Sequence, residues 1–214
     1  MLKIVFAFLL AVGWLAAGTA RAEVIEGRDY TVLDPPQHTM SPGKIEVLEF
    51  FSYGCPHCSE LHPLLHAWSQ KLPRDVVLKR VATGFGQRAW TNLAKTYYAL
   101  VATGELGKVD DALFFAIHRD RLTLFDQRSI TDWIGAHGVD TQKFGQAMAS
   151  FGVSSQLAQA EKLVESYKIE HLPAIVVNGK YLVTGETDEQ LLRHTTELIV
   201  KERANSRGLE AATP

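Results

Sequence analysis

The chain has 214 residues, of which 22 are lysine or arginine and 24 are aspartate or glutamate, so its formal net charge at pH 7 is −2. This balance excludes the strongly basic proteins that bind nucleic acid or anionic lipid through charge alone. The length is sufficient for one large domain, or for one domain that carries an insertion, with a hydrophobic core of its own.

The first 22 residues have the features of a cleaved signal peptide. Lys3 precedes an apolar run at residues 4–17, and Ala20-Arg21-Ala22 has the small-x-small pattern that signal peptidase accepts. The run is shorter than the ~20 residues that span a bilayer, which argues against an uncleaved anchor. We expect cleavage after residue 22, which removes two basic residues and no acidic one and leaves a mature chain of net charge −4.

The next part of the chain predicts the order strand, helix, strand. A short extended segment at residues 30–33 is followed by the apolar, β-rich run Ile45–Phe51, which is typical of a buried central strand. Apolar residues at helical spacing then run from Cys55 to about Pro73. Another apolar run at residues 76–81 predicts the second strand of this unit.

From residue 86 to residue 167 the apolar residues recur with the period of an α-helix. This pattern predicts an all-helical insertion, whose last helices we place at residues 130–136, 144–151 and 157–167. Its aromatic and aliphatic stripes are most simply core, and we assign no cofactor to them.

The strand pattern returns after the insertion. Ala174–Val177 and residues 180–183 flank Asn178-Gly179, a pair that is the strongest short signal for a β-hairpin. A capping-box pattern at residues 187–190 then predicts a final amphipathic helix.

The order of elements predicts an α/β chain with a helical insert. We assign residues 23–85 and 168–204 to the α/β domain and residues 86–167 to the insertion. The small and polar residues 205–214 predict a disordered tail.

The only two cysteines of the chain, Cys55 and Cys58, lie where the first helix is predicted to begin. A disulfide across so short a loop removes little entropy from the unfolded chain, so its stabilising effect is weak. In an exported protein this spacing therefore favours redox chemistry over a structural bridge.

The sequence Cys55-Pro56-His57-Cys58 suits thiol exchange because it stands at a helix N-terminus. Free backbone N–H groups and the helix dipole stabilise a thiolate on Cys55, and a protonated His57 would add a positive charge. Pro56 fits the first helical position. We expect Cys55 to be an exposed, acidic nucleophile and Cys58 to be the buried resolving thiol. A stabilised thiolate favours the reduced form, so the disulfide should be a strong oxidant.

Three stretches resemble the DsbA family in the same order along the chain. They are Leu-Glu-Phe-Phe-Ser at residues 48–52, the Cys-Pro-His-Cys motif, and Pro173-Ala174 followed by residues 177–181. The resemblance implies a thioredoxin-like fold with an all-helical insertion and a monomeric, periplasmic thiol-disulfide oxidoreductase. It implies that the protein oxidises reduced exported proteins, that a DsbB-like, quinone-linked membrane protein re-oxidises it, and that it uses no cofactor other than its own disulfide.

The resemblance also assigns residues outside the cysteine motif. Pro173 matches a cis-proline that faces the disulfide and, with Leu172, holds the substrate, although many relatives have Gly-Val where this chain has His171-Leu172. Glu49 matches a buried glutamate that could exchange a proton with Cys58, whereas a solvated edge position would give it no such role. Arg80 replaces a buried lysine of the family and keeps the charge but cannot lose its proton.

Three other functions remain open from the residues. Cys55, Cys58, His62 and His66 have the pattern C-x2-C-x3-H-x3-H of a metal site, but on one helix Cys58 and His66 would lie about 12 Å apart along the axis. A non-catalytic peptide-binding chaperone would not need the thiols. A disulfide isomerase or reductase of the same fold is the closest alternative, although isomerases of this type carry an added dimerisation domain, for which the residues before the first strand leave no room.

Overall fold

The computed structural model describes residues 23–211 of the chain, with side chains as far as residue 206. The predicted signal peptide at residues 1–22 and the last three residues of the predicted tail lie outside the described residues. No helix within the described part is long and apolar enough to cross a membrane.

The described residues form one mixed sheet of five strands in the order β1-β5-β4-β2-β3. β2 pairs with β3 in parallel, and the other neighbouring pairs are antiparallel. The strands are β1 (Tyr30–Val32), β2 (Ile45–Phe51), β3 (Val76–Ala82), β4 (Ala174–Val177) and β5 (Tyr181–Val183). All seven residues of β2 are buried, so the prediction of a central strand is confirmed.

Seven helices accompany the sheet in the described part of the chain. They are α1 (Pro56–Ser69), α2 (Arg88–Thr103), α3 (Leu106–His118), α4 (Gln127–Ala136), α5 (Thr141–Met148), α6 (Phe151–Ser166) and α7 (Asp188–Ala211). Helices α2 to α6 follow one another between β3 and β4, within the range that the sequence predicts for the insertion. One hydrophobic core joins these helices to the sheet, and a second joins the sheet to α1 and α7.

Several helix boundaries differ from the prediction. The helix predicted at residues 144–151 ends at Met148, because Ser150 starts a new helix by accepting a hydrogen bond from the backbone N–H of Val153 at 3.2 Å. Helix α6 therefore begins at Phe151, six residues before its predicted start. The prediction of disorder from residue 205 is wrong as far as Ala211, because α7 continues to that residue.

The predicted hairpin is confirmed by a turn at Asn178 and Gly179, whose φ angles are both positive, 51° and 67°. A side chain at Gly179 would place its Cβ 2.1 Å from the backbone oxygen of Gln37. Glycine is therefore required here both for its backbone conformation and for the close approach of another segment.

Candidate active site

Cys55 is the N-cap residue of α1, with extended backbone angles, and the helix begins at Pro56. Its sulfur accepts a hydrogen bond from the backbone N–H of Cys58 at 3.4 Å. The pKa of Cys55 is lowered to about 7, first by the hydrogen bond from the Cys58 thiol and then, against the effect of burial, by the backbone N–H groups of Cys58 and His57 and the charge of His57. Cys55 is therefore the thiol that ionises near neutral pH.

Cys58 lies one turn into α1 and has no exposed surface. Its pKa is raised well above that of a free thiol, mainly by burial and then by the neighbouring Cys55 and the charge of Glu49. Both cysteines are free thiols in this structure. The two cysteines thus have opposite acid–base properties although they are only two residues apart in the sequence.

The prediction that Cys55 is exposed is wrong, because only 4% of its surface is accessible to solvent. The loop before β4 packs against it, and the thiol lies 3.5 Å from the backbone oxygen of Leu172. The Leu172–Pro173 peptide is cis, as the resemblance implies. Cys55 therefore lies beneath the segment to which the resemblance assigns substrate binding.

A surface cavity of about 490 Å³ lies next to this loop. His57 and Glu60 of α1 line one side, His171, Leu172 and Pro173 line another, and the segment from Val183 to Leu191 completes it. His57 and His171 are exposed at the surface. The cavity therefore brings the active-site helix, the cis-proline loop and the start of α7 together around a space that a peptide segment could occupy.

Glu49 lies behind the active-site helix, in the middle of β2, with a side chain that is 0% exposed. The parallel register of β2 and β3 pairs it with Arg80, whose Nε donates to its Oε2 at 2.7 Å. The other oxygen of Glu49, Oε1, is buried and has no hydrogen-bond partner among the described residues. The alternative of a glutamate on a solvated edge is therefore wrong.

Sequence reasoning missed Asp110, which α3 of the insertion brings to the same cluster. Its Oδ2 accepts from Nη1 of Arg80 at 2.7 Å, and its Oδ1 accepts from the hydroxyl of the fully buried Tyr53. The guanidinium also lies 4.1 Å from the centre of the Phe51 ring. The only sequence signal was a pair of adjacent acidic residues on an amphipathic helix, which usually indicates a solvated face.

The histidines of the proposed metal pattern do not join the cysteines. His62 is buried and its Nε2 lies 2.7 Å from Oδ1 of Asp111. Among the described residues, the only group whose ligand atoms come together is His62, Asp110 and Asp111. Its members pair with one another or with Arg80 and Tyr53. Neither the two cysteines nor His66 belong to this group, so the described residues do not bring the C-x2-C-x3-H-x3-H set together.

The comparisons with known proteins agree with this geometry. The family model described as "DSBA-like thioredoxin domain" matches residues 65–197, a range that begins after both cysteines. The chain is 39% identical over 199 residues to the thiol:disulfide interchange protein DsbA of Azotobacter vinelandii, covering 92% of each chain. It is 35% identical to the DsbA of Pseudomonas aeruginosa, covering 95% of this chain and 98% of that relative.

Solved structures of DsbA proteins match the fold as well. The crystal structure of Pseudomonas aeruginosa DsbA superposes with a TM-score of 0.81 at 36% sequence identity. The match covers 85% of this chain and 95% of the Pseudomonas chain. The crystal structure of DsbA from Xylella fastidiosa has a TM-score of 0.80 at 30% sequence identity. That match covers 86% of this chain and 100% of the Xylella chain. The fold is thus thioredoxin-like with a helical insertion, and the chain belongs to the DsbA family of protein disulfide oxidoreductases, which act through their own cysteine pair.

Proposed function

We propose that the protein donates its Cys55–Cys58 disulfide to reduced exported proteins, with Cys55 as the sulfur that exchanges with the client and Cys58 as the resolving thiol. The observation that carries this proposal is the difference between the two thiols. The pKa of Cys55 is lowered to about 7 at a helix N-terminus, while burial raises the pKa of Cys58 well above its ordinary value. A sulfur that is stable as a thiolate is a good leaving group from the mixed disulfide.

The exchange takes place in two balanced steps. A client thiolate attacks the sulfur of Cys55, the bond between the two protein sulfurs breaks, and Cys58 leaves with the electron pair and takes up a proton. The second client thiol then loses its proton and attacks the client sulfur of the mixed disulfide, and Cys55 leaves as a thiolate. The client is oxidised by two electrons, and the protein keeps them as its reduced cysteine pair.

We propose that Cys58 and Glu49 exchange a proton during the reaction. The carboxyl group is buried behind the active-site helix and its charge acts on the Cys58 thiol. Its Oε1 lacks a hydrogen-bond partner among the described residues, so this oxygen is free to carry a proton. Glu49 would protonate Cys58 as it leaves and remove that proton when the disulfide is formed again.

Leu172 and Pro173 are proposed to hold the client next to Cys55. The backbone oxygen of Leu172 is within 3.5 Å of the Cys55 sulfur, and both residues line the cavity beside the motif. An extended client segment could lie in that cavity with its cysteine directed at Cys55. His171, which stands where many relatives have glycine, would then contact the client next to the reacting sulfur.

The cellular setting is proposed from the family and the N-terminal sequence together. A signal peptide at residues 1–22 would deliver the protein to the periplasm. There a DsbB-like, quinone-linked membrane protein would re-oxidise the cysteine pair, and the protein would act as a monomer. The chemistry needs no cofactor, because the electrons move between sulfur atoms only.

Alkylation of the reduced protein tests the roles of the two thiols. Iodoacetamide should modify Cys55 with a rate that rises around pH 7, following the lowered pKa. Cys58 should stay largely unmodified, because its thiol is buried and its pKa is raised. Peptide mapping by mass spectrometry after short reaction times measures both rates. Equal rates for the two cysteines across the pH range would contradict the assignment.

A His57→Ala variant separates the effect of the histidine charge from that of the helix terminus. We expect a higher pKa for Cys55 and a weaker oxidant, because the reduced form loses part of its stabilisation. The shift should be less than about one pH unit, because the charge of His57 is the weakest of the influences that set the pKa of Cys55. Thiolate absorbance against pH and the glutathione equilibrium of both proteins measure it. Identical values would leave the Cys58 thiol and the backbone N–H groups of the helix terminus as the causes of the lowered pKa.

A further inference from the structure

One guanidinium group serves two carboxylates behind the active-site helix. Arg80 donates from Nε to Glu49 and from Nη1 to Asp110, and both distances are 2.7 Å. An arginine can hold a single carboxylate with two parallel hydrogen bonds, but here its donors are divided between β2 and the insertion. Each carboxylate therefore receives only part of the positive charge, and the three groups together carry an excess of negative charge when both acids are ionised.

The two carboxylates differ in their other contacts. Asp110 also accepts from the Tyr53 hydroxyl, and its side chain is 17% exposed to solvent. Glu49 has a side chain that is 0% exposed and an Oε1 without a partner among the described residues. A buried charge without partners is costly. The cost of the excess negative charge therefore falls mainly on Glu49, which has the fewer partners of the two carboxylates.

Titratable groups from several elements surround the carboxylates of Glu49 and Asp110. They are Arg80 on β3, Asp110 on α3, Cys58 and His62 on α1, Tyr97 on α2 and Tyr53 in the loop before α1. On β4 the residue in register with Glu49 is the apolar Ile175. His62 lies with Nδ1 at 3.5 Å from Nη2 of Arg80, and its other nitrogen pairs with Asp111.

We propose that Asp110 is a positioning residue for disulfide exchange, because it prevents Arg80 from neutralising Glu49 completely and so keeps Glu49 in the form that gives its proton to Cys58. The proposal rests on the proton exchange by Glu49 that is proposed above. When the client thiolate attacks Cys55, Cys58 departs with the electron pair and takes the proton, and Glu49 is left as a carboxylate beside Arg80. Without the charge of Asp110, Arg80 would hold an ionised Glu49, and the departing sulfur would lack its proton donor.

The variant Asp110→Asn tests this, because it removes the charge and keeps the shape of the side chain. The oxidised full-length mature protein is mixed with a reduced dithiol peptide, and the rate of its reduction is measured between about pH 5 and pH 9. Dividing the variant's rate by that of the unsubstituted protein cancels the ionisation of the peptide. We expect a ratio near one at the acidic end that falls to about one-tenth at the basic end, because Arg80 is no longer shared and holds Glu49 as a carboxylate that cannot give a proton.

Two variants of the same helix are matched controls. Asp111→Asn removes the neighbouring carboxylate, which pairs with His62 and not with Arg80, and should give a ratio near one at every pH. Asp110→Glu keeps the charge and should restore the profile of the unsubstituted protein. If the rate ratio of Asp111→Asn falls with pH as much as that of Asp110→Asn, the effect comes from the general surface charge and the proposal is overturned.

A Glu49→Gln variant separates the two proposals, and infrared difference spectra of the reduced and oxidised forms give a second readout. The protonated carboxyl band that disappears in Glu49→Gln should vanish at a lower pH in Asp110→Asn than in the unsubstituted protein. If Glu49→Gln removes the pH-dependent loss of rate but Asp110→Asn changes neither the profile nor the band, Glu49 keeps its role and the role of Asp110 is wrong. If Glu49→Gln changes nothing, proton exchange through Glu49 is wrong and the role of Asp110 is wrong with it.

Discussion

Replacing Cys58 with alanine is expected to abolish turnover and to trap covalent complexes between Cys55 and client proteins. The remaining sulfur keeps its place at the N-terminus of α1, so it still forms mixed disulfides. No second thiol of the protein is left to release the client, and these complexes should therefore accumulate. Acid quenching of periplasmic extracts, non-reducing electrophoresis and mass spectrometry would identify the adducts and the cysteine that carries them.

The reverse substitution, Cys55→Ala, is the matched control for this experiment. It leaves only Cys58, which has no exposed surface and a pKa raised mainly by burial, so it should give almost no adducts. Adducts of equal abundance in both variants would show that either sulfur can react with clients. An absence of adducts in Cys58→Ala, with the variant folded and exported, would contradict the oxidation of exported proteins.

The free energy of unfolding of the reduced protein is expected to rise with pH relative to that of the oxidised protein. The pKa of Cys55 is about 7 in the folded protein and about 8.5 in an unfolded chain. A lowered pKa in the folded state adds stability that is fully present above the unfolded value and is lost as the pH falls through the folded value. At 1.36 kcal/mol for each unit Cys55 alone would contribute about 2 kcal/mol. Cys58 opposes it as the pH approaches about 8.5, so we expect a net gain of about 1 kcal/mol between roughly pH 6 and pH 8.5.

Above about pH 8.5, the ordinary pKa of a free thiol, the effect should reverse, because ionisation of Cys58 in the unfolded chain acts in the opposite direction. Its pKa is raised well above the ordinary value, so the unfolded chain ionises this thiol while the folded protein does not. Urea unfolding of both redox forms at several pH values measures the difference, and the oxidised protein is the baseline because neither sulfur titrates in it. Reduced Cys55→Ser should lack the rise. A constant difference from pH 6 to about pH 8.5 would contradict the lowered pKa of Cys55.

Features that depend on neighbouring residues could be predicted from the sequence. The central strand follows from the apolar run Ile45–Phe51, and the hairpin follows from Asn178-Gly179, whose backbone angles few other residue pairs adopt at low cost. The start of α1 at Pro56 follows in the same way from the preference of proline for the first helical position. Each of these signals acts over a few residues, so the three-dimensional context did not change its outcome.

The first and last residues of the helices were less predictable than their central turns. The periodicity continues across residues 148–151, and only the capping hydrogen bond of Ser150 to Val153 separates α5 from α6. The last helix extends to Ala211 although the residues after Arg203 are small and polar. Weak local preferences on both sides of a helix end leave its position to capping and packing.

The sequence by itself determined the chemistry of the active-site motif, because two cysteines separated by Pro56 and His57 at a helix N-terminus need only local backbone geometry to become unequal thiols. Only the tertiary structure decided how the site is enclosed. Cys55 is covered by Leu172, which lies 117 residues later, and Arg80 is shared with Asp110, which lies 30 residues later on a helix of the insertion. Such contacts depend on how distant elements pack, and neither residue carries a local signal that distinguishes it from an ordinary loop leucine or a solvated aspartate.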